Sequence, residues 1–282
     1  MAQRDSLGYT VGVAAVLCIV CSLAVSGAAV ALKDRQEANK VLDQRRNILD
    51  ATGLAKGEFG RPASELSRAE VAELYKWISE ELVNLDDGSV NTEIDIKKYD
   101  AIETASKKET QIAPDTSQYD IGEQYRETIG KVFFVKRPGD PKVRQVVLPV
   151  YGKGLWSTLR GYLAVKSDLE TIQGLTFYSH KETPGLGGEV DNLSWKAQWE
   201  GKKLFDDSGQ PAAEVFKGTA PKDDPSAVDG LSGATITSRG VTTLLRYWTG
   251  DDGYGPYLSK LKARLADAEA AANSSDNTQE GE

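Results

Sequence analysis

The densest chemistry in the 282-residue sequence lies in Asp229-Gly-Leu-Ser-Gly-Ala-Thr-Ile-Thr-Ser238. Ser232, Gly233 and Ala234 are small enough to let a second molecule approach the backbone closely. Four hydroxyls, on Ser232, Thr235, Thr237 and Ser238, fall within seven residues. The spacing that follows predicts a helix over Thr237 to Trp248. A helix start offers unpaired amides and the positive end of its dipole, which together suit a phosphate. The same residues also suit a plain Ser/Thr cap after a glycine turn. Local physics leaves both readings open.

Two further segments carry usable side chains: Gly152-Lys-Gly-Leu-Trp156-Ser and Ser179-His180-Lys181-Glu182-Thr183-Pro184-Gly185-Leu186-Gly187. His180 is the sole histidine and is either a proton donor or structural. Glu182 either touches a ligand or caps its loop, and Trp156 is either a ligand contact or core. Gly185 to Gly188 lacks the G-x-G-x-x-G pattern of dinucleotide loops, and no G-x-x-x-x-G-K-S/T phosphate loop occurs. The two cysteines, Cys18 and Cys21, both sit in the apolar N-terminal run. A disulfide framework, a cysteine-ligated metal and a multi-histidine site in the soluble part are therefore excluded. Redox chemistry here needs an organic cofactor or a partner's metal. The formal charge of −8 disfavours nucleic acid as a partner, because phosphate backbones demand a basic face.

The elements that position these residues start with a membrane segment. Residues 8–32 contain no charge; at about 1.5 Å per residue they extend roughly 37 Å, more than a hydrocarbon core of about 30 Å. An uncleaved anchor in contact with membrane lipid is expected, because signal-peptide cores are shorter. Cys18 and Cys21 then serve as small packing groups. Counting flanking basic residues, Arg4 against Lys33, Arg35, Lys40, Arg45 and Arg46, puts the C-terminal side in the cytoplasm. Helices are predicted over Glu37 to Leu54 and Ser67 to Val83. Residues 85–130 are charged and irregular.

Strand signals follow over Val132 to Val135, Gln145 to Val150, Arg160 to Val165 and Thr171 to Tyr178, separated by turn formers. Asp191 to Trp199 is predicted helical with Leu193, Trp195 and Trp199 facing inward, as is Tyr257 to Ala272. The tail Asn273 to Glu282 is polar and is expected to be disordered. The class is α+β, with a mainly antiparallel sheet flanked by helices. The expected organisation is a flank 1–7, a transmembrane helix 8–32, a helical linker and insertion 33–130, a domain 131–262 and a helix end with tail 263–282.

Asp229-x-x-Ser232-Gly233-Ala234-Thr235 resembles the flavinylation motif of the FMN-binding-domain family. The Ser179 to Gly187 and Gly152 to Ser157 segments are similar to further segments of that family. With the anchor, the chain resembles the C subunits of sodium-translocating NADH:quinone oxidoreductases; the G subunits of Rnf electron-transport complexes share these elements. A flavin-free, membrane-anchored scaffold is the alternative of another class.

The resemblance implies covalent FMN, joined by a phosphoester to Thr235, with Thr237 as the nearest rival acceptor. It implies a cofactor site of Asp229, Ser232, Gly233, Ala234, Thr237 and Ser238 beside Trp156, Glu182, Thr183, Gly185, Leu186 and Gly187. Trp156 and Leu186 would give apolar contact, and amides around Thr183 to Gly187 would meet the ring edge. No residue beyond the flavin is implied as catalytic. The implied role is electron relay in a translocase of the bacterial inner membrane, from a partner iron–sulfur centre to another bound FMN. Implied partners are the A, B, D, E and F subunits and a periplasmic flavin transferase. A periplasmic enzyme requires a periplasmic soluble domain, opposite to the charge count.

Overall fold

The computed structural model describes residues 7–100, 104, 111–140 and 142–276. Residues 1–6, with the flanking Arg4 and Asp5, and the tail beyond Asp276 lie outside the described residues. Two compact units divide at residue 44. The described residues of the first belong to helix α1, which spans Leu7–Ala51 without interruption. Among the described residues α1 is the one helix long and apolar enough to cross a membrane. The helix expected over Glu37 to Leu54 is its continuation, ending at Ala51. It ends because Gly53 takes φ +69°, a left-handed conformation that glycine adopts without steric cost. The short α2 follows over Leu54–Phe59.

In the second unit, α3 covers Arg68–Tyr75 and begins with a capping box between Ser67 and Glu70. The expected helix does not continue to Val83. Residues Ile78–Asn84 form strand β1, and all seven pair antiparallel with strand β5 at Ile129–Lys136. Partner strands outcompete local helical spacing. Short strands β2 (Val90–Asn91), β3 (Gln111–Ile112) and β4 (Arg126–Glu127) lie between them.

Strands β6 (Val143–Lys153), β7 (Thr158–Lys166) and β8 (Ile172–Ser179) complete a six-stranded sheet ordered β2-β1-β5-β6-β7-β8. Every neighbouring pair is antiparallel. The sheet thus draws in residues well before Lys131, where the strand signals begin. Period-two alternation gives it two apolar faces. Val132, Phe134, Val146, Leu148, Leu163 and Val165 join the larger core. Phe133, Val135, Val147, Tyr162 and Ala164 pack with Ile48 and Ala51.

A 3-10 turn at Gly187–Asp191 leads into α4, Leu193–Ala197. Trp195 and Trp199 are buried there, but Leu193 is 70% exposed and does not face inward as expected. Strands β9 (Glu214–Val215) and β10 (Ala227–Val228) form a small parallel pair. Helix α5 spans Thr235–Thr249, starting two residues earlier than expected, and α6 spans Gly255–Asp276. Asn273 to Asp276 are therefore helical rather than disordered. Val241, Leu244, Leu245 and Trp248 form the stripe that α5 buries against the sheet.

Candidate functional site

Helix α5 opens without a side-chain cap. Its N-cap is Ala234, which has no hydroxyl to offer. The Ser238 amide donates to the Ala234 carbonyl at 2.9 Å, closing the first turn. The amides of Thr235, Ile236 and Thr237 precede that bond and have no intrahelical acceptor. The plain Ser/Thr cap weighed from the sequence is thus absent.

The four hydroxyls separate by burial and use. Thr237 is fully buried and donates to Glu182 Oε2 at 2.6 Å. Ser238 is buried, and its Oγ accepts from the Leu231 amide at 3.1 Å. Thr235 and Ser232 are exposed. Thr235 occupies the first position of the helix, beside the open amides.

Asp229 works in the approach to this turn. Its Oδ1 accepts from the Ala220 amide at 2.8 Å. Its own amide donates to Gln198 Oε1 at 2.9 Å, and its carbonyl accepts from Trp195 Nε1 at 2.8 Å. These bonds fix the backbone leaving β10. Gly233 then takes φ +69°, and a Cβ there would lie 2.9 Å from Leu186 Cδ2. The glycine permits both the turn and the close seat of Leu186.

Glu182 joins the three segments. Its Oε1 accepts from the Trp156 amide at 2.9 Å, and its Oε2 accepts from the Leu155 amide at 3.2 Å and from Thr237. Burial works to raise its carboxyl. The bonds from Thr237 and from the amides of Trp156 and Leu155 outweigh that and hold it below the usual carboxylate range. Gly187 makes room, since a Cβ there would lie 2.6 Å from both Glu182 Oε2 and Thr237 Oγ1.

The loop after Glu182 is a closed turn. The Leu186 and Gly188 amides both donate to the Thr183 carbonyl, at 3.1 and 2.9 Å. The Leu186 amide is therefore already engaged, while Gly185 turns at φ +77°. His180 is held on both sides. Its Nδ1 accepts from the Glu182 amide at 3.2 Å, which leaves the proton on Nε2 to donate to Asp191 Oδ2 at 2.9 Å. Neither nitrogen is left open for a proton-donor role.

Trp156 is 68% exposed and is not core. Leu155, Leu186 and Ile236 are also exposed apolar side chains on these segments. Leu155 and Ile236 were absent from the sequence-derived site. The signal available for Ile236 was an apolar residue in an otherwise hydroxyl-rich first turn. Asp191, which steadies His180, carried no sequence signal.

The FMN-binding domain family matches residues 154–250, which contain Trp156, Glu182 and Thr235. The C subunit of the Na(+)-translocating NADH-quinone reductase from Yersinia pestis is 41% identical over 260 residues, covering 92% of this chain and 95% of its own. Its counterpart from Pseudomonas aeruginosa is 42% identical over 266 residues, covering 93% and 98%. The crystal structure of Shewanella oneidensis NqrC superposes with a TM-score of 0.72 at 35% identity, covering 80% of this chain and 99% of that one. The corresponding C subunit from Parabacteroides distasonis gives a TM-score of 0.59 at 28% identity, covering 80% and 96%. With an apolar N-terminal helix, a shared antiparallel fold and identity sustained along nearly its whole length, the chain belongs to the family of C subunits of Na(+)-translocating NADH-quinone reductases.

Proposed function

We propose that this chain carries FMN as a phosphoester on Thr235 Oγ and relays electrons within a Na(+)-translocating NADH-quinone reductase. The observation that supports it best is the state of the hydroxyls at the start of α5. Thr237 and Ser238 are buried and bonded, whereas Thr235 is exposed beside unpaired amides.

The residues present fit the cofactor. An esterified phosphate keeps one negative charge, which the amides of Thr235, Ile236 and Thr237 and the helix dipole would offset. Trp156, Leu186 and Ile236 offer exposed apolar surface for a flat ring. Bound FMN would supply one- and two-electron transfer. The chain's own work is to hold and orient it. Asp229 and Gly233 shape the approach to the turn, Ser232 stands exposed within it, and Gly185 and Gly187 let the Leu186 loop close. A covalent bond removes dissociation, so an exposed domain keeps its cofactor.

The apolar part of α1 is the anchor, in the bacterial inner membrane. The soluble unit faces the periplasm, where a flavin transferase loads Thr235, despite the basic flank after residue 32. Electrons pass between this chain and its neighbours among the A, B, D, E and F subunits.

Peptide mass mapping of the chain from its native host tests the linkage. The fragment containing Thr235 is expected to carry the mass of FMN. Thr235→Val should abolish ultraviolet fluorescence of the denatured band, and Thr237→Val should keep it. Fluorescence surviving Thr235→Val would sink the proposal, as would an unmodified native fragment.

A further inference from the structure

Glu182 is the one side chain whose hydrogen bonds reach both other segments of the site. Its two oxygens take three donors: the amides of Trp156 and Leu155 and the hydroxyl of Thr237. The packing around it is tight. A Cβ at Gly154 would lie 2.6 Å from Oε1, and one at Gly187 would lie 2.6 Å from Oε2. Leu186, next to Gly187, is seated against Gly233 just before the first turn of α5. The exposed Trp156 is therefore referred to α5 through a single carboxylate, with Leu186 seated beside the same turn.

We infer that Glu182 is a positioning residue, whose carboxylate fixes Trp156 relative to the first turn of α5 and so sets the surroundings of the flavin ring. The inference rests on the proposal that FMN occupies this site. Glutamine cannot replace the carboxylate. It is isosteric, but its single acceptor oxygen faces donors on both sides, so its amide nitrogen must meet an N–H. One backbone amide, of Trp156 or of Leu155, then loses its partner. Losing that partner frees the part-buried loop to rearrange.

The emission of bound flavin reads the placement of Trp156, because an indole against a flavin quenches it by electron donation. The full chain loaded with FMN is compared as wild type, Trp156→Ala, Glu182→Gln and the double variant, with emission normalised to bound flavin. Trp156→Ala should raise emission several-fold. Glu182→Gln should raise it in the same direction, and the double variant should not exceed Trp156→Ala alone, since the two act as one unit.

Thr237→Val keeps the shape and the charge of Glu182 but removes one donor. It should give a smaller rise, and it decides the matter if Glu182→Gln does not fold. Wild-type emission from Glu182→Gln with a lowered melting temperature would overturn the inference, leaving a purely structural tie. Independent, additive effects in the double variant would overturn it too, as would unchanged emission from Trp156→Ala. Absence of any bound flavin in the wild type would instead sink the preceding proposal.

Discussion

Glu182 and Glu127 are both buried carboxylates, 5% and 3% exposed, and the fold treats them in opposite ways. Glu182 stands at the start of α5, bonded to Thr237. Glu127 stands near its end, accepting a 2.6 Å bond from Tyr151, whose ring lies 4.8 Å from that of Trp248. Burial pushes the Glu127 carboxyl up; the Tyr151 bond and the charge of Arg126 only partly oppose it. The Arg126 guanidinium spends its donors on the Glu127 carbonyl, Asp252 and Asp86, not on the Glu127 carboxylate. Glu182 meets two amides and a hydroxyl and stays below the usual range. Deep burial moves the Glu127 carboxyl up, and the richer set of donors at Glu182 outweighs burial there and moves its carboxyl down.

The two ends of α5 differ in the same sense. At the far end Tyr247, Trp248, Tyr254 and Arg126 are buried. At the near end, amides go unpaired and Trp156, Leu186 and Ile236 face outward. The closed end packs as an aromatic core, although Arg126 Nε and the Tyr254 hydroxyl are buried there without a hydrogen-bond partner. The open end departs from the rules of a stable core, as binding sites do.

The strongest way to break this contrast is Trp248→Ala. The side chain is fully buried and donates to the Tyr151 carbonyl at 2.7 Å. The substitution should cost about 3–5 kcal/mol, measured by urea denaturation. On the proposed linkage, flavin on Thr235 should persist in the folded fraction; its loss there would mean that the two ends are not separable.

A smaller effect comes from the acid limb of stability. The Glu182 carboxyl is lowered in the folded state, so its contribution is present above the unfolded value of about 4.3 and is lost as pH falls through the lowered folded value. Glu182→Gln should flatten that part of a pH–melting curve. An unchanged slope below about pH 4 would count against the charge assigned to Glu182.

The smallest effect is expected from Glu127→Gln. The Glu127 carboxyl is raised on folding, so its contribution is present below the unfolded value and fades as pH rises through the raised folded value. Glutamine still accepts from Tyr151 and carries no charge to bury. The variant should be slightly more stable than wild type at neutral pH, by thermal melting, with the gain vanishing in acid. A loss at neutral pH would show that the carboxylate is better satisfied than its partners suggest.

Much of the fold was legible in the sequence. Strands β5 to β8 were visible because β-branched and aromatic residues alternate between two apolar faces. Strand β1 was not. Leu74, Trp77, Ile78 and Leu82 fit one face of a helix, and only pairing with β5, some fifty residues on, turns the last of them into a strand. Leu193 looked like core by residue type, yet its place at the start of a five-residue helix leaves it in solvent. The contiguous small and hydroxylic residues marked out the Thr235 turn, but their spacing alone fitted a helix cap as well as a phosphate seat. The Glu182 tie was not, because it spans 55 residues to Thr237 and 26 to Trp156.

Ala234 at the N-cap of α5 gives up what a serine or aspartate would contribute there, about 1 kcal/mol. A newly made chain therefore carries one soft corner, and the donors left idle there are the ones an attached phosphate would engage. On the proposed linkage, the chain loaded with FMN is expected to melt higher than the empty one, with the difference arising at the first turn of α5.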